Sequence, residues 1–162
     1  ALIVIPLYFI INIVYTLVKL AKKNKPKKVN KNKINILFVC KHNVLRSKIA
    51  EAYLRKLDKK INVKSTGLIA GGSPLYDNEK RILKSYGFNP SKKFNCLSKS
   101  LIDWADMIII IANDIPKKIF KRKNPKVKKI IRIWRIKDSF AGASDKQIEK
   151  IITKIISRVN NL

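Results

Sequence analysis

The sequence is short of the residues from which disulfide frameworks and metal sites are built. Among its 162 residues there are two cysteines and one histidine, with no CxxC pair and no HExxH motif. Two cysteines in a domain that we place in the cytosol argue against a structural disulfide. So few ligands also leave little basis for a metal site. We therefore expect chemistry that uses no metal and no cofactor.

Acidic residues are also scarce. Ten of them face 37 lysines and arginines, which gives a formal net charge of +27. Such a charge suggests an anionic lipid, an acidic protein or a nucleic acid as partner. The densest basic run, residues 116–132, has a single aromatic residue and no nucleic-acid-binding motif accompanies it. Nucleic acid is thus the least favoured of these partners, and a composition rich in Lys, Ile and Asn explains the charge equally well.

Charge is missing altogether from the first 18 residues, ALIVIPLYFIINIVYTLV. A run of this length can cross a bilayer, and it lacks the basic start and the small-residue cleavage site of a signal peptide. A buried core helix is the alternative, but eight lysines and no acid at residues 19–33 are typical of a cytoplasmic membrane boundary. We predict a transmembrane anchor in the lipid bilayer at residues 1–20, a basic linker at 21–33 and a cytoplasmic domain at 34–162. Because the chain begins at Ala1 and not at a methionine, an upstream segment would alter this orientation.

Strand patterns alternate with helix patterns along residues 34–162. Apolar runs at 34–40, 61–66, 105–112 and 127–134 are typical of strands, and the third is apolar enough for a central parallel strand. This alternation predicts an α/β fold, with a four-stranded parallel sheet, helices on both faces in three layers, and right-handed crossovers. The predicted transmembrane helix precedes it.

Local signals predict where the helices begin and end. Ser73 with Pro74 predicts the start of a helix that ends at Gly87. Asn113 or Asp114 is expected to cap a short helix. The sequence SDKQ at residues 144–147 has the form of a capping box, which predicts the start of the last helix. The first helix repeats Ile49, Tyr53 and Leu57, and the last repeats Ile148, Ile151, Ile152, Ile155 and Val159.

One cysteine lies where such a sheet binds ligands, beyond the carboxyl end of a strand. Cys40 ends the first strand, the loop KHNVL follows, and Arg46 begins a helix. Loop amides and a helix N-terminus bind anions, and the arginine fork fits two phosphate oxygens. The same positive surroundings favour a thiolate. The sequence therefore predicts a site that holds a phosphoryl group and attacks it.

The stretch VCKHNVLRSKIAE at residues 39–51 resembles the signature VCxGNxCRSxxAE of the low-molecular-weight protein tyrosine phosphatase family. STG at 65–67 is similar to the family's SAG, and DWADMIII at 103–110 to its third strand. KDSF at 137–140 lies where the family has its DPY or DPW acid loop. The resemblance covers nearly all of residues 34–162.

The resemblance implies a mechanism and a role for four residues. Cys40 is the nucleophile, Arg46 binds the phosphate, Ser47 hydrogen-bonds the thiolate and Asp138 is the general acid. The resemblance implies a phosphatase that hydrolyses phosphotyrosine-type monoesters of a protein or a small aryl phosphate through a phosphocysteine. Together with the predicted anchor, the expected function is that of a membrane-anchored phosphatase. Asn43, Ser47 and Ser65 are implied to support the loop. Phosphate binding is implied for the loop residues Lys41, His42, Asn43, Val44, Leu45, Arg46 and Ser47.

The sequence departs from the family at three positions in these motifs. His42 replaces a glycine, Leu45 replaces a second cysteine and Ser139 replaces the proline after the acid. We expect His42 to be exposed and non-catalytic, and Asp145 is a rival acid that a capping position already explains.

Three alternatives share the fold. Arsenate reductases of this fold relay oxidation through further cysteines near the end of the third strand. Here the second cysteine is Cys96, before that strand. Protein-arginine phosphatases carry a threonine at the position of Val44, whose apolar branched side chain resembles the tyrosine-specific members. A catalytically degenerate phosphate or phosphoprotein binder is the third alternative, and Asp138 argues against it.

Overall fold

The structure, a computed structural model, describes residues 33–69, 71–89, 93–123 and 129–162. The predicted anchor at 1–20 and, apart from Lys33, the predicted linker at 21–33 lie outside these ranges. Within them, no helix is both long and apolar enough to cross a membrane.

Four strands form one parallel sheet, as the sequence predicts. Each element pairs in the same direction as its neighbour, and the order across the sheet is second, first, third, fourth. This order makes the first strand central and the fourth an edge strand. The strands are β1 (Asn35–Cys40), β2 (Asn62–Gly67), β3 (Met107–Ile111) and β4 (Ile130–Trp134).

Five helices connect and follow the strands in the described part of the chain. They are α1 (Arg46–Leu57), α2 (Asp77–Ser85), α3 (Lys99–Trp104), α4 (Lys118–Lys123) and α5 (Asp145–Asn160).

The helices cover both faces of the sheet, which confirms the predicted three layers. In β1, Phe38 faces a core cluster that includes residues of α1, α2 and α5. Its neighbour Leu37 faces a second cluster with residues of α3 and α4. Both side chains are fully buried, and burial of one such side chain stabilises the fold by about 1.5–3 kcal/mol. All six residues of β1 are buried, so the strand that carries Cys40 is the most enclosed part of the sheet.

The last helix follows its sequence signals closely. Ser144 Oγ accepts a hydrogen bond from Gln147 N at 3.4 Å, and Gln147 Oε1 accepts one from Ser144 N at 2.8 Å. The predicted capping box is therefore confirmed. The whole predicted apolar stripe is buried.

Two helix starts differ from the prediction. α2 begins at Asp77 and not at Ser73, because the Glu79 carboxylate accepts a hydrogen bond from Tyr76 N at 2.8 Å and so caps the helix there. Its end is as predicted, with Gly87 at φ +71°. α4 begins at Lys118, beyond the predicted caps Asn113 and Asp114. Pro116 explains the delay, since the residue before a proline is disfavoured in helical geometry.

The predicted apolar face of α1 is correct only in part. Ile49 is buried, but Leu57 is 55% exposed and Leu54 is buried instead. Residues four apart on a helix drift by about 40°. From Ile49 to Leu57 there are two such steps, so the side chain of Leu57 no longer faces the core.

Candidate active site

The site lies at the carboxyl end of the central strand. β1 has β2 on one side and β3 on the other, so the strand order reverses at β1. Ligands of open α/β sheets bind at such a reversal. The loop of residues 41–45 joins Cys40 at the end of β1 to Arg46 at the start of α1.

A cavity of about 470 Å³ opens above this loop. Its floor and one wall come from Cys40 and the loop, and another wall comes from residues 72–76 before α2. Asp138 and Ser139, which follow β4, close a third side. The cavity therefore brings the predicted nucleophile and the predicted acid together, although they are 98 positions apart in the chain. Its lining residues are Cys40, Lys41, His42, Val44, Leu45, Gly72, Ser73, Pro74, Tyr76, Glu79, Asp114, Asp138 and Ser139.

The Cys40 thiol is 2% exposed and has two polar neighbours. Asn43 N donates a hydrogen bond to Cys40 Sγ at 3.2 Å, and Ser47 Oγ lies 3.0 Å from the same sulfur. Donors directed at a buried sulfur stabilise negative charge on it. A cysteine that only fills space in a core does not require polar contacts of this kind.

Asn43 is the centre of the loop. It is fully buried and has φ 57°, in the left-handed region that asparagine tolerates. Its Oδ1 accepts a hydrogen bond from Asn95 N at 2.9 Å. Its Nδ2 donates to Ser47 Oγ at 3.0 Å and to Ser65 Oγ at 2.8 Å. The structure thus places the three predicted support residues in one contact network.

This network determines the direction of the hydrogen bond to the sulfur. Ser65 Oγ donates to Glu51 Oε2 at 2.5 Å, so it accepts from Asn43. Because Asn43 also donates to Ser47 Oγ, the Ser47 hydroxyl hydrogen is available for Cys40 Sγ. A chain of hydrogen bonds that ends in an acceptor carboxylate therefore directs a donor at the nucleophile.

Arg46 is buried to the same extent as Cys40, with 2% exposure. Its Nη1 donates to the carbonyl oxygen of Ile136 at 2.9 Å, and its Nη2 pairs with Asp138 Oδ2 at 2.5 Å. Its Nε is buried with no hydrogen-bond partner among the described residues. A buried donor without a partner costs free energy and calls for an explanation. A bound anion on Nε and Nη2 supplies one.

The segment after β4 is tied to α2 as well as to Arg46. Ser139 Oγ donates to Glu79 Oε1 at 2.5 Å, and Glu79 is only 3% exposed. The other carboxylate oxygen of Glu79 accepts the Tyr76 backbone bond that caps α2. The serine that stands in place of the family proline therefore holds this segment by a hydrogen bond. The Asp138 side chain is 43% exposed and lies over the cavity.

The other loop residues are in positions that define the cavity wall. Lys41 Nζ lies 3.8 Å from Asp114 Oδ2, and His42 is half-buried, with Nδ1 2.7 Å from the carbonyl oxygen of Gly71. His42 is thus less exposed than predicted, because this contact holds it against the cavity wall. Val44 is half-buried, whereas Leu45 is buried and packs into the α1 core.

Burial affects one charged group at the start of α1. Lys48 is buried, and this burial lowers the pKa of its ammonium group, while the nearby Glu51 and Cys40 act in the opposite direction. Its Nζ donates to the carbonyl oxygen of Lys93 at 2.6 Å.

Several residues of the site were missed by sequence reasoning. Glu79 and Asn95 gave no signal, because their contacts with Ser139 and Asn43 join segments distant in the chain. Glu51 ends the signature at residues 39–51, but its contact with Ser65 could not be read from that motif. Gly67 lies in the STG motif, and a Cβ added there would come within 2.8 Å of His42 C and 2.9 Å of Asn43 N. Glycine is thus required for the loop to approach β2, which the motif could have indicated.

Cys96 lies across the sheet from Cys40, with β2 between them. Cys40 pairs with Gly67, and Gly67 forms an isolated parallel bridge with Cys96. Two strand spacings place the cysteine Cα atoms about 9.5 Å apart. A disulfide requires at most about 6.8 Å. The two thiols therefore cannot form a disulfide without movement of the backbone.

We expect peroxide to oxidise Cys40 without formation of an internal disulfide. Leu45 occupies the position at which the family has a neighbouring cysteine, and Cys96 is out of reach, so a sulfenic acid at Cys40 proceeds to sulfinic acid. Intact-mass measurement should show added oxygens rather than the loss of two hydrogens, and thiols should restore activity poorly. The Cys96→Ser variant should behave in the same way. A disulfide that disappears in that variant would contradict the expectation.

The fold and site together define a class of protein, in which a buried cysteine and a buried arginine flank a short loop at the carboxyl end of a parallel sheet. Residues 35–162 match the model of the low molecular weight phosphotyrosine protein phosphatase family, and the chain belongs to that family. This match confirms the predicted resemblance. The family is one of cysteine-dependent phosphatases.

A relative of known activity matches part of the chain. A protein-arginine-phosphatase from Geobacillus stearothermophilus is 36% identical over 80 residues, which are 48% of this chain and 54% of the relative. The match thus spans about half the length of that relative.

Solved structures match most of the chain. The YwlE arginine phosphatase from G. stearothermophilus has a TM-score of 0.66 and 26% identity, over 78% of this chain and 88% of the other. The tyrosine phosphatase Wzb from Escherichia coli K30, in complex with sulphate, has a TM-score of 0.67 and 18% identity, over 78% and 94%. An arsenate reductase from Archaeoglobus fulgidus has a TM-score of 0.62 and 24% identity, over 78% and 96%. At their level of identity, the last two show the shared fold alone.

Proposed function

We propose that this protein hydrolyses phosphotyrosine-type phosphomonoesters through a phosphocysteine intermediate. The observation that carries the proposal is the shared cavity in which Cys40, with two polar neighbours at its sulfur, lies with Asp138 beside the buried Arg46. Nucleophile, phosphate-binding cation and acid are the three groups that such a reaction requires.

In the first step the Cys40 thiolate attacks phosphorus in line with the leaving oxygen. A sulfur–phosphorus bond forms and the phosphorus–oxygen bond of the ester breaks. Asp138, in its protonated form, transfers its proton to the leaving oxygen. Arg46 and the loop amides stabilise the charge on the transferring phosphoryl group.

In the second step water replaces the leaving group. Asp138, now a carboxylate, accepts a proton from the water, whose oxygen attacks phosphorus while the sulfur–phosphorus bond breaks. Inorganic phosphate leaves and the Cys40 thiolate is restored. The hydrogen bonds from Asn43 N and Ser47 Oγ support the sulfur as a leaving group.

The contact between Arg46 and Asp138 is consistent with a phosphate site at Arg46. A phosphate that takes Nη2 together with the unpartnered Nε replaces the Asp138 carboxylate. Asp138 is then free to approach the leaving oxygen.

The shape of the cavity favours an aryl phosphate. Cys40 lies at its base with 2% exposure, so a phosphoryl group on a long side chain reaches the sulfur more readily than one on serine. Apolar groups of Val44, Pro74 and Tyr76 line the walls through which that side chain passes. A phenyl ring packs well against such apolar groups.

Phosphoarginine is the second candidate substrate. The observation in its favour is the 36% identity to a protein-arginine-phosphatase over 80 residues. The valine at position 44 speaks for the aryl phosphate, since the resemblance implies a threonine there in arginine phosphatases. Arsenate reduction by a relay through Cys96 is disfavoured by the spacing of the two cysteines.

The test compares two substrates on the full chain. We expect hydrolysis of a phosphotyrosine peptide at a higher kcat/KM than that of a phosphoarginine peptide of the same flanking sequence, in the presence of a chelator. The Val44→Thr variant should move the preference toward phosphoarginine. Faster turnover of phosphoarginine by the unchanged chain would establish the second candidate, and no turnover of either by folded protein would favour a binder.

A membrane location with a cytoplasmic catalytic domain is part of the proposal. Its support is the uncharged run at residues 1–18 and the lysines that follow it. We expect the full chain to sediment with membranes and to resist carbonate extraction. A variant with lysines in the apolar run should be extracted, and release of the unchanged chain would contradict the anchor.

A further inference from the structure

A second depression lies on the far side of β4 from the rest of the sheet. It has a volume of about 810 Å³ and shares no lining residue with the cavity above Cys40. Residues 131–136 line it along one side. Six residues in the last turns of α5 and just after it line another side: Thr153, Lys154, Ser157, Arg158, Asn161 and Leu162. Lys117, before α4, completes it. We call this depression the β4 groove.

The backbone of an edge strand forms part of the β4 groove. β4 pairs with β3 on one side, and no other described strand pairs with it. An unpaired edge presents a row of N–H and C=O groups that another extended chain can bind. The groove is therefore able to accept a polypeptide strand, which brings the matching backbone groups.

The charged side chains around the groove are all positive. None of them forms an ion pair among the residues that the structure describes. A second copy of this chain would bring the same positive charges to the edge, so edge-to-edge self-association is disfavoured. These side chains are Lys117, Arg132, Arg135, Lys154 and Arg158.

The two faces beside the edge differ in chemistry. Arg132 pairs in register with Ile109, which belongs to the core under α5, so Arg132 lies on the α5 side with Lys154. Ile131 and Ile133 lie on the opposite face and are half-buried. An added strand would thus have Arg132 and Lys154 beside one face, and Ile131 and Ile133 beside the other.

We propose that the β4 groove binds an extended segment of a partner protein in which acidic residues alternate with apolar ones. Successive side chains of a strand point to opposite faces, so alternation brings every carboxylate to the α5 side and every apolar group beside Ile131 and Ile133. A nucleic acid lacks the backbone groups for the edge, and a bilayer surface does not enter a groove of this shape. A segment of alternating acidic and apolar residues would pair with the edge backbone groups, the cations and the apolar side chains at the same time.

The test uses a fluorescein-labelled peptide of alternating glutamate and valine and measures its anisotropy with the full chain. We expect saturable binding that is at least about tenfold tighter than that of a peptide of the same composition with glutamates and valines in separate blocks. N-methylation of alternate peptide nitrogens should abolish binding, because it removes the backbone donors. This peptide change leaves the protein unaltered, so protein misfolding cannot explain the loss.

Matched charge reversals test the location. The double variant Arg132→Glu, Lys154→Glu should weaken binding by at least about tenfold, because it places like charges opposite the peptide. The control double variant Lys56→Glu, Lys146→Glu has the same net charge, alters exposed residues outside the groove and should bind as the unchanged chain does.

Two results would overturn the proposal. One is equal binding of the alternating and block peptides, which would indicate attraction by charge alone. The other is equal weakening by both double variants. Binding of a single-stranded oligonucleotide or of anionic vesicles that only the groove variant loses, with no binding of the alternating peptide, would assign the groove to those ligands instead.

Discussion

Replacement of Cys40 with serine is expected to lower phosphotyrosine hydrolysis by about 10⁵-fold or more, as loss of a catalytic nucleophile does in other covalent enzymes. A serine hydroxyl fits the space of the thiol and still accepts the hydrogen bond from Asn43 N. Arg46 and its orphan Nε–H are untouched. The variant should therefore bind phosphate as the unchanged protein does, while it fails to form the phosphoenzyme.

Two measurements separate this result from damage to the fold. Acid quench of the unchanged protein with labelled substrate should trap a phosphoprotein, and Cys40→Ser should trap none. The matched control is Cys96→Ser, because Cys96 is exposed and outside the cavity, and it should retain full turnover. Residual turnover by Cys40→Ser near that of the unchanged protein would show that the nucleophile lies elsewhere.

Replacement of Asp138 with alanine is expected to slow phosphotyrosine hydrolysis by roughly 10²–10⁴-fold, because the phenolate then leaves without a proton. Aryl phosphates with more acidic leaving groups should lose less. The substitution also removes the ion pair to Arg46, so Nη2 becomes available to the substrate phosphate. The loss should therefore appear in kcat, with KM unchanged or lowered. Arg46→Ala should instead impair both phosphate binding and turnover.

Two other aspartates provide matched controls for Asp138. Asp114 lines the same cavity but pairs with Lys41. Asp145 is the first residue of α5, lies outside the cavity and pairs with Arg81. Alanine at either position should leave the dependence on the leaving group unchanged. If Asp145→Ala or Asp114→Ala reproduces the loss and Asp138→Ala does not, the acid has been assigned to the wrong residue.

Ser139, the residue after Asp138, also affects where Asp138 lies. Ser139 donates to the buried carboxylate of Glu79 where the family has a proline. A hydrogen bond to a buried carboxylate restricts the segment in place of the rigid proline ring. Substitutions at Ser139 therefore belong beside those at Asp138 when the position of the acid is tested.

The strands and the reactive loop could be predicted from sequence because their signals are local. The apolar runs, the capping box at Ser144 and the cysteine-to-arginine spacing each extend over a few residues. The predicted start of α2 was wrong. Ser73 and Pro74 are residues typical of a helix start, but the hydrogen bond from Tyr76 N to the Glu79 carboxylate places the start at Asp77.

The sequence by itself determined the sheet, the loop at residues 41–45 and the choice of Cys40 and Arg46 as candidate site residues, since periodicity and short motifs depend on residues near one another in the chain. Only the tertiary structure decided that Asp138 contacts Arg46, that Glu51 orients Ser47 through Ser65 and Asn43, and that α5 lies beside an open strand edge. These features join segments far apart in sequence. Hydrogen bonds require an approach of about 3 Å, and the packing of the helices on the sheet is what brings such distant groups so close.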